Sequence, residues 1–387
     1  MSDQKMMMAK GVQPIQEVAV DVVHKEVCNA LQVENLNFLL GAGCSSLIVE
    51  KGGKSAEAGI PAMSGLFEEF KEANPDFKVA RHDVFDKCDK SIEKLLEILE
   101  SVYRLNDFWN ADPKAESKIL TIQGFLRSKI IMGMKSRELI DLYKSFYERI
   151  SQRSKRATPI SVFTTNYDLF SECALDELRY PYNNGFMGVT TRRFAPASFD
   201  YSFVENMNLK RDAWEPVPSY FNLIKLHGSI SWIKGANEDA VYECFVEDSK
   251  AGQRMMIYPS PLKDRSTLMT PYSDLFRVME NRLVRKNAVL IVIGYSFGDD
   301  HINRLIYNAL ESSSFRLIIL NGSDAVKKLA EERNPRVTIA YSKDGDEKLH
   351  YFKGFVEKLL PAPNPEIEES KLILRKFGEL VDKSMKV

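Results

Sequence analysis

The chain has 387 residues, with 53 Lys plus Arg against 54 Asp plus Glu and 44% hydrophobic residues. That balance excludes a disordered or fibrous chain, and a net charge of -1 gives no global electrostatic reason to expect nucleic-acid binding. Cys28, Cys44, Cys88, Cys173 and Cys244 are odd in number and never spaced as Cys-x-x-Cys, which fits neither a disulfide framework nor a zinc ribbon. No stretch approaches the ~20 apolar residues that cross a bilayer. The N-terminus lacks the apolar core of a secretory signal. The reading is therefore a cytoplasmic protein with no membrane association. The basic run Arg149, Arg153, Lys155 and Arg156 could touch nucleic acid, but a solvated helix end is the favoured reading.

Residues 15–32 carry apolar positions at helical spacing and lead into NFLLGAGCSS at 37–46, which reads as strand, tight turn, helix start. Residues 64–157 are helix-patterned throughout, notably 91–105 and 116–156, and are expected to form a helical insertion between the first and second sheet strands. Buried-strand patterns then follow at 160–165, 222–227, 288–295 and 316–321, with a weaker one at 337–341. Helical patterns at 273–286, 300–312 and 324–332 fall between the later ones. The strand runs are continuously apolar, as in strands covered on both faces. Strands alternating with helices predict an α/β fold with a doubly wound parallel, Rossmann-like sheet. The predicted organisation is a nucleotide-binding domain from 1–63 and 158–360, the insertion 64–157, and a C-terminal helix in 361–387 set off by prolines.

Four segments could carry chemistry. Gly41-Ala42-Gly43-Cys44-Ser45 follows a strand, where glycines let backbone N–H groups approach a pyrophosphate; a plain strand-to-helix turn is the equal alternative. Ser46 stands where the dehydrogenase fingerprint has its third glycine, and no acidic residue ends a second strand about 20 residues on, which weakens a hydride-transfer reading. Thr164-Thr165-Asn166-Tyr167-Asp168 ends the 160–165 run, where Asn166 could hold a water or a ribose hydroxyl, or Thr165 or Asn166 could simply cap the next helix. Lys225-Leu226-His227-Gly228-Ser229 places a histidine, suited to proton transfer near neutral pH, at another strand end; a structural histidine is the alternative. In Gly294-Tyr295-Ser296-Phe297-Gly298-Asp299-Asp300-His301, three adjacent ligands on one ion are awkward, so Asp300 is expected to cap the following helix rather than bind metal. Gly294, Ser296 and Asn321 could line a nucleotide.

The order GAG-x-S, GIP, TTNYD, KLHGS, GYS and a strand ending in Asn resembles the sirtuin family, and more closely its bacterial sirtuin-like NAD hydrolases of anti-phage defence, over roughly 37–325. The resemblance implies a sirtuin-type fold in which the helical insertion replaces the zinc-ribbon lobe. It implies NAD as substrate, with Asn166 and His227 catalytic and Asp168 beside the nicotinamide ribose. Gly41, Ala42, Gly43 and Ser45 would cradle the phosphates, and Gly294, Ser296 and Asn321 would contact the adenosine half. It further implies no metal, a homo-oligomer, and gating by a protein partner such as a HerA-type ATPase. Two departures stand out: the four-cysteine ribbon of sirtuin deacylases is absent, and Gly59-Ile60-Pro61 continues with Ala62-Met63 instead of an acidic and an aromatic residue. The missing ribbon, which helps build the acyl-lysine groove in the family, argues against protein deacylation and leaves NAD cleavage intact. A zinc-free deacylase and an NAD- or ADP-ribose-binding sensor without turnover are the competing functions.

Overall fold

The protein's structure, a computed structural model, describes residues 4–51, 54–61, 63–77, 88–109, 112–153, 158–208, 213–217, 219–235, 240–244, 254–256, 270–312, 314–343, 346–363 and 365. Its centre is a nine-stranded sheet. In spatial order the strands are Gln16–Ala19, Lys5–Lys10, Val337–Tyr341, Arg316–Leu320, Ala288–Ile293, Asn35–Leu40, Ile160–Thr164, Phe221–Lys225 and Tyr182–Asn183. Every pairing from Val337–Tyr341 to Tyr182–Asn183 is parallel. The expected α/β architecture with a largely parallel sheet is therefore present.

The apolar strands are built for burial on both faces. In Ala288–Ile293, Val289, Ile291 and Ile293 join one core, while Ala288, Leu290 and Val292 join the other. The period of two in a strand divides a continuous apolar run between the two sides. Helices Val20–Leu31, Arg137–Ile150 and Phe170–Leu178 cover the first face; Tyr272–Leu283, Asp300–Glu311 and Asp324–Glu331 cover the second.

Chain order matters for the site. From Asn35–Leu40 the sheet grows one way to Ile160–Thr164 and Phe221–Lys225, then returns to the other side at Ala288–Ile293. The direction reverses between Asn35–Leu40 and Ala288–Ile293, and crevices at the carboxyl ends of such a switch are where open α/β sheets bind ligands.

Several elements differ from the sequence expectation. Residues 5–10 and 16–19 are strands that add an antiparallel edge to the sheet, and the helix expected from residue 15 starts at Val20. The turn at 41–45 opens no helix: a three-residue 3-10 turn, Ala42–Cys44, leads into the antiparallel hairpin Ser46–Lys51 and Lys54–Gly59. Residues 186–256 contribute a second, five-stranded antiparallel sheet of short strands that no period in the sequence announced. The helix-patterned stretch forms helices Met63–Ala73, Ile92–Trp109, Ala115–Gly133 and Arg137–Ile150. The first three share a core of their own, built on Phe67, Phe70, Leu95, Leu99 and Ile122, whereas Arg137–Ile150 packs on the main sheet.

Arg153 is no solvated helix end. Its guanidinium is partly buried and donates to the carbonyls of Val33, Glu34 and Thr158, tying together the entries to two adjacent central strands. Lys155, Arg156 and the helix expected after residue 366 lie outside the described residues. Among those described, no helix is long and apolar enough to cross a membrane.

Candidate functional site

Three strand ends and one loop build the site. Gly41 follows Leu40 and donates its N–H to Ile293 O at 2.9 Å, while Gly43 N–H donates to Gly294 O at 2.9 Å. The turn therefore lies directly against the end of the Ala288–Ile293 strand. A Cβ on Gly41 would stand 2.4 Å from Gly294 O and from Tyr295 Cα, so only glycine allows this backbone contact. Gly294, at φ +65, makes the reciprocal approach, with Cys44 N 2.8 Å from its virtual Cβ. The N–H groups of Cys44 and Ser45 close the 3-10 turn on Gly41 O and Ala42 O. The glycines thus hold the turn against the neighbouring strand end at the switch point, with Ala42 and Gly43 exposed.

Asn166 is buried at the end of the neighbouring strand and donates Nδ2–H to Gly41 O at 2.9 Å. Its side chain also hydrogen-bonds Tyr143, whose phenol burial pushes well above its usual pKa. Asn166 is no helix cap: the helix starts at Phe170, and the Asp168 carboxylate receives the Phe170 N–H at 3.1 Å. The other Asp168 oxygen accepts from Ser45 Oγ at 2.5 Å, a buried bond that joins the glycine turn to the Asn166 strand end. Cys44 is buried beside them, its thiol pushed up chiefly by desolvation and then by the Asp168 charge, so it is held as a thiol rather than a nucleophilic thiolate.

His227 lies at the end of the next strand. Leu226 N–H donates to Thr164 O at 2.8 Å and Ile230 N–H to Tyr167 O at 3.1 Å, locking the two strand ends in step. His227 Nε2 lies 2.9 Å from Asp299 Oδ2, and both side chains are more than nine-tenths buried. Asp299, not Asp300, is the cap of helix Asp300–Glu311: its Oδ1 accepts from His301 N at 3.1 Å and Ile302 N at 3.4 Å. The sequence reading credited the wrong aspartate and missed the one that pairs with His227. Either residue satisfies a capping pattern, and only the folded loop selects between them.

Behind these residues Lys225 is almost fully enclosed. It donates to the main-chain carbonyl of Asp168 and, at 3.0 Å, to Glu172 Oε1. Burial nonetheless raises the Glu172 carboxyl, with Lys225 opposing that shift.

The residues expected near an adenosine are less uniform. Gly294 abuts the glycine turn, and Ser296 is exposed on the loop that follows. Asn321 spends its polar groups on the protein, donating Nδ2–H to Tyr295 O at 2.8 Å and accepting from Ser323 N at 2.7 Å. It fixes the loop that carries Asp299, since Tyr295 OH in turn donates to Asp299 O at 3.2 Å. Among the described residues no group of three or more His, Cys, Asp or Glu side chains is gathered as a metal site.

Asn166 and His227, buried at adjacent parallel strand ends beside the glycine turn, stand at the switch point where open α/β sheets bind ligands. Residues 160–340 match the model of the SIR2-like domain. Two solved structures show a loose likeness. One is described as the structural basis for the mechanism and regulation of Sir2 enzymes, at 13% identity and TM-score 0.40, covering 88% of this chain and 97% of that one. The other is Sir2 in complex with the inhibitor EX-527, 2'-O-acetyl-ADP-ribose and a deacetylated p53 peptide, at 14% identity and TM-score 0.32, covering 80% and 96%. No curated protein matches the chain. The SIR2-like match begins at the Asn166 strand, so it takes in Asn166, His227 and Asp299 but not the glycine turn.

Proposed function

We propose that the protein hydrolyses NAD+ at the nicotinamide–ribose bond, giving nicotinamide and ADP-ribose. The observation that carries this reading is the convergence of Asn166 and His227 on adjacent strand ends beside the switch-point crevice, inside the segment that matches the SIR2-like domain.

In this reaction the C1′–N bond breaks and neutral nicotinamide leaves with the bonding pair, so positive charge grows on the ribose. Water then adds to C1′ and loses a proton. The enzyme must orient the sugar, exclude bulk water and supply a base. Asn166, pinned by Gly41 O and Tyr143, has the fixed orientation needed to position the ribose or the attacking water. His227 takes the proton. Asp168 is the charge beside the developing cation, held in place by Ser45 and the Phe170 N–H. Ala42, Gly43 and Ser296 offer exposed surface at the crevice for the phosphates and adenosine.

The resemblance of the motif order supports the wider reading of an NAD-depleting effector in antiviral defence. It works as a homo-oligomer held in check by a partner such as a HerA-type ATPase. The helices of 63–133, with their separate core, are the region we assign to that contact.

The test is nicotinamide release from NAD+ by the purified protein, alone and with the candidate ATPase, beside Asn166→Ala and His227→Ala. Release that both substitutions abolish in folded protein supports the hydrolase. No release by the wild type in any condition overturns it, and NAD+ binding without release would point to a sensor.

A further inference from the structure

Asp299 is shared between two tasks that constrain each other. One oxygen caps the helix by accepting two backbone N–H groups, and the other meets His227 Nε2 at 2.9 Å. The contact spans the sheet: Asp299 follows the Ala288–Ile293 strand, His227 follows Phe221–Lys225, and two strands lie between. That is about 14 Å at the usual strand spacing, bridged by a loop that Asn321, Tyr295 and Asn303 pin in place.

We infer that Asp299 is a positioning residue that fixes the tautomer of His227, and so decides which nitrogen accepts the proton; as a role in turnover this rests on the hydrolase reading. A carboxylate is only an acceptor, so the imidazole nitrogen facing it must carry the hydrogen. Neutral His227 is then the Nε2–H form, and its basic lone pair is on Nδ1. Water or a ribose hydroxyl delivers its proton to Nδ1, and Asp299 stabilises the imidazolium that results. Ionisable groups on the elements around His227 include Lys225 on its own strand, Tyr167 and Asp168 at the adjoining strand end, Cys44 in the glycine turn, Tyr295 on the loop that carries Asp299, and Asp300 and His301 at the helix start.

The helix cap makes Asp299→Asn a sharp test. Asn caps a helix as well as Asp does. To keep the cap, the amide must leave its oxygen on the His301 and Ile302 N–H groups, which turns its NH2 toward His227. A donor facing Nε2 forces the hydrogen onto Nδ1, the nitrogen that should be the base. The substitution therefore preserves the fold and inverts the tautomer.

The experiment is a long-range 1H–15N spectrum of histidine-labelled, ligand-free protein at about pH 9, where ordinary imidazoles are neutral, with His227→Gln to assign the signal among the five histidines. The wild type is expected to show the Nε2–H pattern and Asp299→Asn the Nδ1–H pattern, with the melting temperature retained. Asp299→Ser, which caps but is too short to reach the ring, should give a mixture of tautomers. NAD+ cleavage should fall on the order of 10²-fold or more in Asp299→Asn. An unchanged tautomer in both variants, or full turnover with the tautomer inverted, overturns the assignment. Because the spectra need no NAD+, a wild type that cleaves nothing would refute the hydrolase reading and leave the tautomer claim to be decided by the nitrogen shifts.

Discussion

Ser45 Oγ donates to Asp168 Oδ2 at 2.5 Å across 123 residues of sequence, and both groups are buried. This bond closes the glycine turn onto the strand end that carries Asn166. Ser45→Ala removes the donor and leaves a buried carboxylate oxygen without it, at a cost of roughly 1–3 kcal/mol. The expected result is a clear drop in the urea midpoint at unchanged slope, and weaker NAD+ cleavage through loss of Asp168 placement. A midpoint equal to the wild type would mean the bond contributes nothing.

Gly41→Ala places a methyl 2.4 Å from the backbone of Gly294 and Tyr295, which cannot move aside as a side chain tip would. It is expected to part the two strand ends, losing both stability and cleavage. Gly124 is the control: it lies inside helix Ala115–Gly133 with nothing within 4 Å of its virtual Cβ. Gly124→Ala should stabilise by roughly 1 kcal/mol through helix propensity. Calorimetric melting of the two variants should move in opposite directions.

Lys225→Met leaves Glu172 buried without its cation and Asp168 O without its donor. Breaking one side of a buried pair costs roughly 3–5 kcal/mol. Replacing both partners with apolar residues, as in Lys225→Met with Glu172→Leu, should restore part of that loss, because no lone charge is then enclosed. Denaturant unfolding of the wild type, both single variants and the double variant measures the coupling. Equal stability of the single and double variants would disprove it.

Glu177 on the surface is held down to about 2 by hydrogen bonds from Arg137 and then Lys144. Its folded value lies below the ordinary 4.5, so the stability it contributes is fully present above that value and is lost as pH falls toward about 2. Exposure to solvent keeps the contribution to at most about 1 kcal/mol. Carbon-detected titration should place the Glu177 midpoint well below the ordinary 4.5, and Glu177→Gln should be slightly less stable at pH 7 but not at pH 2. A Glu177 midpoint near 4.5 would contradict the pairing.

What the sequence determined by itself follows from periodicity. Helices such as Tyr272–Leu283 and Asp300–Glu311 repeat apolar residues at 3.6, and strands such as Ala288–Ile293 are apolar throughout because both faces are covered. Those patterns were enough to put Asn166 and His227 at strand ends. The short strands of the 186–256 sheet, two to seven residues long, are too brief to show a period, and Lys5–Lys10 reads as a strand only once Val337–Tyr341 offers it an edge. Only the tertiary structure decided that the glycine turn exists to pack on Gly294, that Asn321 clamps a loop, and that Asp299 rather than Asp300 serves the helix and His227 together. Each of those choices is a contact between segments more than 20 residues apart, and local sequence carries no record of which partner will arrive.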